Sequence, residues 1–309
     1  MADEAPGLSA RLSEQADALA QLLATSGGAD PGEVERAVSS VTTTLRQLGD
    51  TLGLDVGAAL AAGPPQPVDD GPRPFPPLEV TVPVLGVDAC KAGWVGAILE
   101  PGAPRPRIAV AATIADLVET VRQSLGIQAV AIDIPIGLPD DTTRQADAMA
   151  RKALRGKASS VFTTLTRAAY AEATRQDADP VNRALTGQGV GAQAFGLRAK
   201  IIEVDTWVRS RPTVTVIEAH PELSFAVMAG APIVAGKKTD AGRVARLAAL
   251  AAAGLASPSV LNGSGYAADD VLDACAAAWT AARRMNGEAH PLPDPPETFS
   301  DGIPAAIWV

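Results

Sequence analysis

An α/β fold on a mixed sheet is predicted by three features of the chain. Short apolar runs at residues 84 to 88 (VLGVD), 129 to 133 (AVAID) and 213 to 218 (TVTVIE) each end in a carboxylate. Segments of helical hydrophobic period lie between and after these strand-like runs. A proline-rich stretch separates all of this from an N-terminal pair of amphipathic segments. Carboxylates set at strand ends can converge on one edge of a sheet, where oxygen donors suit a divalent cation.

Residues 8 to 25 place Leu8, Leu12, Ala16, Leu19, Leu22 and Leu23 on one stripe, and residues 34 to 52 do the same with Val34, Val38, Val41, Leu45, Leu48 and Leu52. Between these predicted helices, Gly27 and Gly28 supply a stop. Asp30, Pro31 and Glu33 then read as an N-cap, a first-turn proline and a reciprocal capping glutamate. Residues 1 to 62 are therefore expected to form a helical hairpin. Two helices alone bury little, so the hairpin is expected to pack on the main domain, on a second copy of the chain as a homodimer, or on another protein. From Gly63 to Pro83 the chain carries eight prolines, which favours an extended linker over residues 63 to 83 and puts the domain boundary there.

In the main domain, residues 84 to 88, 93 to 99 and 107 to 112 read as three strands of a meander. A helix near 114 to 125 leads to the strand ending at Asp133, a connection long enough for parallel pairing. Residues 141 to 211 read as a mostly helical, basic insertion, interrupted by the glycine-rich GQGVGAQAFG at 187 to 196. The strand ending at Glu218 follows, then helices near 239 to 254 and 266 to 285.

Composition narrows the function classes. The hydrophobic share of 47% is that of a globular protein. No apolar run approaches the roughly 20 residues of a membrane span, and the acidic start lacks the basic flank of a secretory signal, so no membrane partner and a cytoplasmic location are expected. Cys90 and Cys275 have no CxxC spacing and read as buried free thiols. Charge is uneven: residues 1 to 82 hold 12 acidic and 4 basic side chains, whereas residues 142 to 211 hold 6 acidic and 12 basic. Such a basic block beside carboxylates could steer a nucleic acid towards bound metal, although a solvated helical face gives the same composition.

The order β-β-β-α-β, insertion, β, α, α is that of a ribonuclease H-like sheet. Residues 84 to 309 resemble the domain of unknown function 429 family, a group of predicted nucleases in the ribonuclease H-like superfamily. The resemblance rests on GVDACKAGWVGA (86 to 97), AIDIPIGLP (131 to 139), ARKAL and SSVF (150 to 162), QAFG (193 to 196), IEAHPELSF (217 to 225), KKT (237 to 239), DDVLDACAAAWTA (269 to 281) and GIPAAIW (302 to 308). Asp270-Val-Leu-Asp273-Ala274 is also similar to the D-x-x-D-A of the last helix in Holliday-junction resolvases. The resemblance implies a nuclease hydrolysing DNA or RNA phosphodiesters with Mg2+ or Mn2+. By that analogy Asp88 is the first-strand metal ligand, Asp133 sits near the fourth-strand acidic position, and Asp270 and Asp273 close the site. Those enzymes usually carry a glutamate where this chain has Asp133, followed here by Ile134 and Pro135.

Residue by residue, the expected metal set is Asp88, Asp133, Glu218, Asp270 and Asp273, with Asp88, Asp133, Glu218 and Asp273 catalytic. Each has a plainer role open to it. Asp88 could end its strand, Asp133 could fix the Ile-Pro turn, and Glu218 could pair with Lys200 or Lys238. Asp269 and Asp270 lie in a first helical turn, where the dipole alone favours carboxylates. Asp273 shares a face with Asp270 but precedes the apolar ACAAAW, so a cation should meet it. His220, Lys200, Lys237 and Lys238 are the expected substrate-binding residues, His220 as a proton carrier or a hydrogen-bonded structural histidine. Two rival functions remain at this point. Gly86-Val87-Asp88 also fits an actin-like or sugar-kinase-like ATP-binding phosphotransferase, and the carboxylates could be caps in a non-catalytic interaction module.

Overall fold

A computed structural model describes residues 7–8, 11–12, 14–16, 18–19, 31–52 and 77–309. The chain divides into two compact units, Met1–Pro72 and Arg73–Val309. In the first, the described residues between 7 and 19 are helical, and α1 spans Pro31–Leu52. Gln15 Nε2 donates to Ser40 Oγ at 2.8 Å, a bond between these two helical segments. The predicted turn at Gly27 and Gly28, the Asp30 cap and most of the predicted linker lie outside the described residues.

The second unit begins ahead of its first strand. Leu78 donates its amide to the Ala253 carbonyl, and Leu78, Val80 and Val82 pack on the core. Strands β1 (Val84–Cys90), β2 (Gly93–Glu100) and β3 (Ala103–Ala111) form the antiparallel meander. Helix α2 (Ile114–Leu125) is capped by Thr113, whose side chain accepts from the Asp116 amide, and stopped by Gly126 in the left-handed region. It returns the chain to β4 (Ala129–Ile132), parallel to β1.

Five helices then form the insertion: α3 (Gln145–Ala153), α4 (Arg167–Ala171), α5 (Arg175–Thr186), α6 (Ala192–Gly196) and α7 (Arg198–Arg209). Strand β5 (Thr215–Ala219) lies parallel to β4, and α8 (Pro221–Ala229), α9 (Asp240–Ala252) and α10 (Ala268–Met285) follow.

The C-terminus departs from expectation. Strands β6 (Pro291–Thr298) and β7 (Pro304–Trp308) complete a seven-stranded sheet in the order β3-β2-β1-β4-β5-β7-β6. Prolines at 291, 293, 295 and 296 hide β6 in the sequence, because proline cannot donate to a ladder. Their position on the edge strand is the place where a sheet tolerates that loss. The whole is the ribonuclease H-like mixed sheet flanked by helices, with a helical N-terminal region.

The two faces of the sheet carry separate cores. Val84, Ala129, Ala131, Ile217 and Ala219 belong to the core beneath α8, α9 and α10, while Leu85, Val87, Val130 and Ile132 belong to the core beneath α2 and the insertion. Since side chains alternate along a strand, each residue's face follows from its parity. Gly86 faces α10: a Cβ there would lie 2.0 Å from the Ala278 nitrogen and 2.2 Å from the Ala274 carbonyl oxygen. The missing side chain lets α10 lie directly on β1, and α10 is an alanine-rich helix buried along most of its length. No helix among the described residues is long and apolar enough to cross a membrane.

Candidate metal centre

Parallel pairing of β1 with β4 sets Val87 opposite Ile132, and the Asp133 amide donates to the Val87 carbonyl at 2.9 Å. Asp88 and Asp133 are thus the next residues along two adjacent parallel strands, on the α10 face by alternation. Helix α10 brings Asp273 to meet them, one residue before the Ala274 that touches Gly86. Each of these aspartates has a potential ligand oxygen within 4.8 Å of those of the other two.

Asp88 Oδ1 accepts the Ala89 amide at 2.7 Å, and Asp273 Oδ2 accepts from Lys237 Nζ at 2.6 Å. Asp273 Oδ1 is buried without a hydrogen-bond partner. Burial, followed by repulsion from Asp133 and Asp273, holds the Asp88 carboxyl well above its ordinary range. Burial pushes Asp133 up to about 7 against the pull of Lys237, with Glu222 adding to the rise. Asp273 moves up to about 6, again through burial first and against Lys237. Lys237 responds in the opposite sense: burial alone would lower it, but Asp273, Asp88 and Asp133 hold it well above the usual lysine value.

The donor set fits a hard dication. Three carboxylates supply only oxygen, one buried oxygen is unbonded, and neutral water or substrate could fill further positions.

Glu218 does not join this cluster. Its neighbours Ile217 and Ala219 face α10, so alternation turns Glu218 to the other side of the sheet. There Glu218 Oε2 accepts from Arg144 Nη2 at 2.6 Å and from the Ile136 amide at 2.7 Å. The expected lysine partner is replaced by an arginine from the insertion. Burial would lower the Arg144 guanidinium, but Glu218 and Asp147 more than offset it. Glu218 is therefore a satisfied ion-pair member.

Of the remaining expected residues, Asp270 and His220 line the same pocket while Lys200 and Lys238 do not. Asp270 lies at the pocket, but its Oδ2 accepts the Ala267 amide at 2.9 Å, the helix-capping role open to it from its position. Lys200 sits over the Trp94 ring at 4.3 Å and pairs with Glu203 at 3.5 Å, away from the carboxylates. Lys238 is exposed and does not line the pocket. His220 does line it, with Nε2 3.4 Å from the Ser160 carbonyl oxygen. Burial lowers its pKa, so the ring is neutral and donates Nε2–H to that carbonyl. Cys275 is buried and Cys90 half-buried, both as free thiols.

A family model of proteins of unknown function, DUF429, matches residues 86–298. The chain belongs to the DUF429 family. Neither the curated proteins nor the solved structures contain a match. In this DUF429 chain the matched span contains Asp88, Asp133 and Asp273 together with the insertion and α10.

Several residues that line the pocket or are bonded to its lining carried no sequence signal. Arg144 and Arg246 are fully buried, and Glu222 accepts from Arg246 Nη2 at 2.5 Å and from Lys157 Nζ at 3.3 Å. Asp147 accepts the Thr164 amide at 2.7 Å. These are long-range pairs, and neither spacing nor period announces them. Glu222 alone had a cue, from its place beside His220 in EAHPE.

Proposed function

We propose that this protein is a hydrolase of phosphodiesters in DNA or RNA, acting through Mg2+ or Mn2+ held by Asp88, Asp133 and Asp273. The observation that carries the proposal is the meeting of these three carboxylates from β1, the end of β4 and α10, with ligand oxygens within 4.8 Å of each other. A bound dication would supply charge neutralisation on the attacked phosphate and a water acidic enough to attack at neutral pH.

The chain's own groups then have defined tasks. Asp88, Asp133 and Asp273 hold the ion, and their crowded charge is what favours it. Lys237, bonded to Asp273 in this structure, is placed to contact a phosphate oxygen once a dication neutralises the carboxylates. Glu218 and Asp147 line the same pocket and are each ion-paired to Arg144.

The test is Mn2+ binding by calorimetry, together with cleavage of labelled DNA and RNA strands. Wild type should bind Mn2+ and cleave only in its presence. Asp88→Asn should lose both while keeping the far-ultraviolet spectrum and a cooperative melt. Cleavage by Asp88→Asn at the wild-type rate would reject the assignment.

A further inference from the structure

The cavity over the aspartates suggests what kind of substrate end it accepts. It has a volume of about 490 Å3, within the range that encloses one small ligand. One part of its lining is the carboxylate cluster with Lys237. Another comes from the insertion: Lys157, Ser160, Val161, Phe162, Thr164, Gln193 and Leu197 all lie between β4 and β5. The insertion therefore walls the metal centre, making a pocket where a bare sheet edge would leave an open groove. Phe162 is an aromatic residue of that lining, only partly buried and packed against the core beneath α2 and the insertion.

The cations of the insertion are largely engaged elsewhere. Arg144 is bonded to Glu218, Arg167 to Asp205 and Asp301, and Arg183 to Asp179. Arg151 and Arg175 donate to the Val161 and Val190 carbonyls, and Arg198 to the Tyr170 carbonyl. A protein that tracks a duplex needs a row of cations free to replace phosphate counterions. Here the basic composition is mostly spent on holding helices together.

Resting on the metal-dependent reading above, we propose that the pocket takes a single nucleotide unit, either free or as the terminal residue of a strand. Its phosphate would sit at the ion and Lys237, and its base would lie against Phe162. Internal duplex segments are excluded by the insertion wall. Because the pocket is lined by carboxylates, the phosphate binds only when a dication is present.

Calorimetry on the full chain tests this with Mn2+ alone, then with adenosine or thymidine monophosphate, with and without Mn2+, and then with a blunt duplex. Closed circular and linear single strands are compared for cleavage in parallel. Nucleoside monophosphate should bind at least ten-fold tighter with Mn2+ than without, and no more weakly than the duplex. Phe162→Ala should weaken nucleotide binding roughly ten-fold and leave Mn2+ affinity unchanged, as expected for one stacked base. Linear strands should shorten from an end while circles stay intact; hydrolysis of neither, with nucleotide still bound, assigns the pocket to free nucleotides. Duplex binding tighter than nucleotide binding, or cutting of closed circles, would overturn the inference. Mn2+ binding without any nucleotide binding would overturn it and leave the metal centre standing, whereas no Mn2+ binding would remove both.

Discussion

Glu218 and Glu222 line the same cavity as Asp88, Asp133 and Asp273, yet the two groups are neutralised differently. Each glutamate has a fully buried guanidinium, Arg144 for Glu218 and Arg246 for Glu222. The three aspartates have one half-exposed ammonium, Lys237, bonded only to Asp273. Planar guanidinium forks locked in a core are permanent partners, whereas a lysine on a loop can move aside. The contrast separates carboxylates with a permanent arginine partner from carboxylates that could hold a divalent cation, and burial alone would not have separated them.

The largest effect is expected from breaking a permanent pair. Arg144→Met should leave Glu218 buried without its partner and destabilise the protein by about 3–5 kcal/mol in urea unfolding, with Mn2+ affinity retained in the folded fraction. A variant as stable as wild type would erase the distinction between the two groups. Next comes Gly86→Ala, whose methyl collides with the α10 backbone. Overpacking of this kind costs about 1–3 kcal/mol, and by lifting α10 from β1 it should also weaken Mn2+ binding. Loss of stability with unchanged Mn2+ affinity would show that the contact does not set the Asp88 to Asp273 spacing.

pH acts on both groups, because burial also raises Glu218 to about 7 against the pull of Arg144. Folding raises Asp133 to about 7 and Asp273 to about 6, so the folded chain binds protons more tightly than the unfolded one. The contribution of these groups to metal-free stability is therefore fully present below the unfolded carboxylate range and is lost as pH rises towards 7. Saturating Mn2+ should reverse that slope, since ion and proton compete for the same oxygens. Asp133→Asn should flatten the metal-free slope, stabilise the apo protein at pH 8 by on the order of 1 kcal/mol, and abolish the Mn2+ response. A metal-free melting temperature that climbs between pH 5 and pH 8 in wild type would contradict the crowding of these charges.

The smallest effect is expected at Lys237, which is partly exposed. Lys237→Met should lower the metal-free melting temperature slightly and enlarge the Mn2+-induced rise, because the competing ammonium is gone. An unchanged Mn2+ shift would mean that Lys237 does not occupy the ion's place.

Much of the main sheet was legible from period and punctuation. The meander, α2, β4, β5 and α10 follow from local apolar pattern, which is a property of neighbouring residues. Strand β6 was not, since its prolines suppress the local strand signal and only an edge position makes them tolerable; nor was β7, which is internal but only five residues long with a proline at its start. In the site, Asp88, Asp133 and Asp273 were visible as carboxylates at strand ends or on a core-facing helix. Glu218 looked the same by that criterion and differs only in strand parity, which could have been counted along TVTVIEA once Ile217 and Ala219 were placed in the core under α10.

By itself the sequence determined where strands and helices run and which carboxylates stand at their ends, because both are written in residues a few positions apart. Tertiary structure alone decided which of those carboxylates cluster, which have an arginine, and that the insertion lines the pocket beside them. Those outcomes depend on contacts such as Arg144 with Glu218 and Lys237 with Asp273, between residues 74 and 36 positions apart. No local spacing encodes such pairs; they form when the register of parallel strands and the close approach of α10 at Gly86 bring distant side chains to one place.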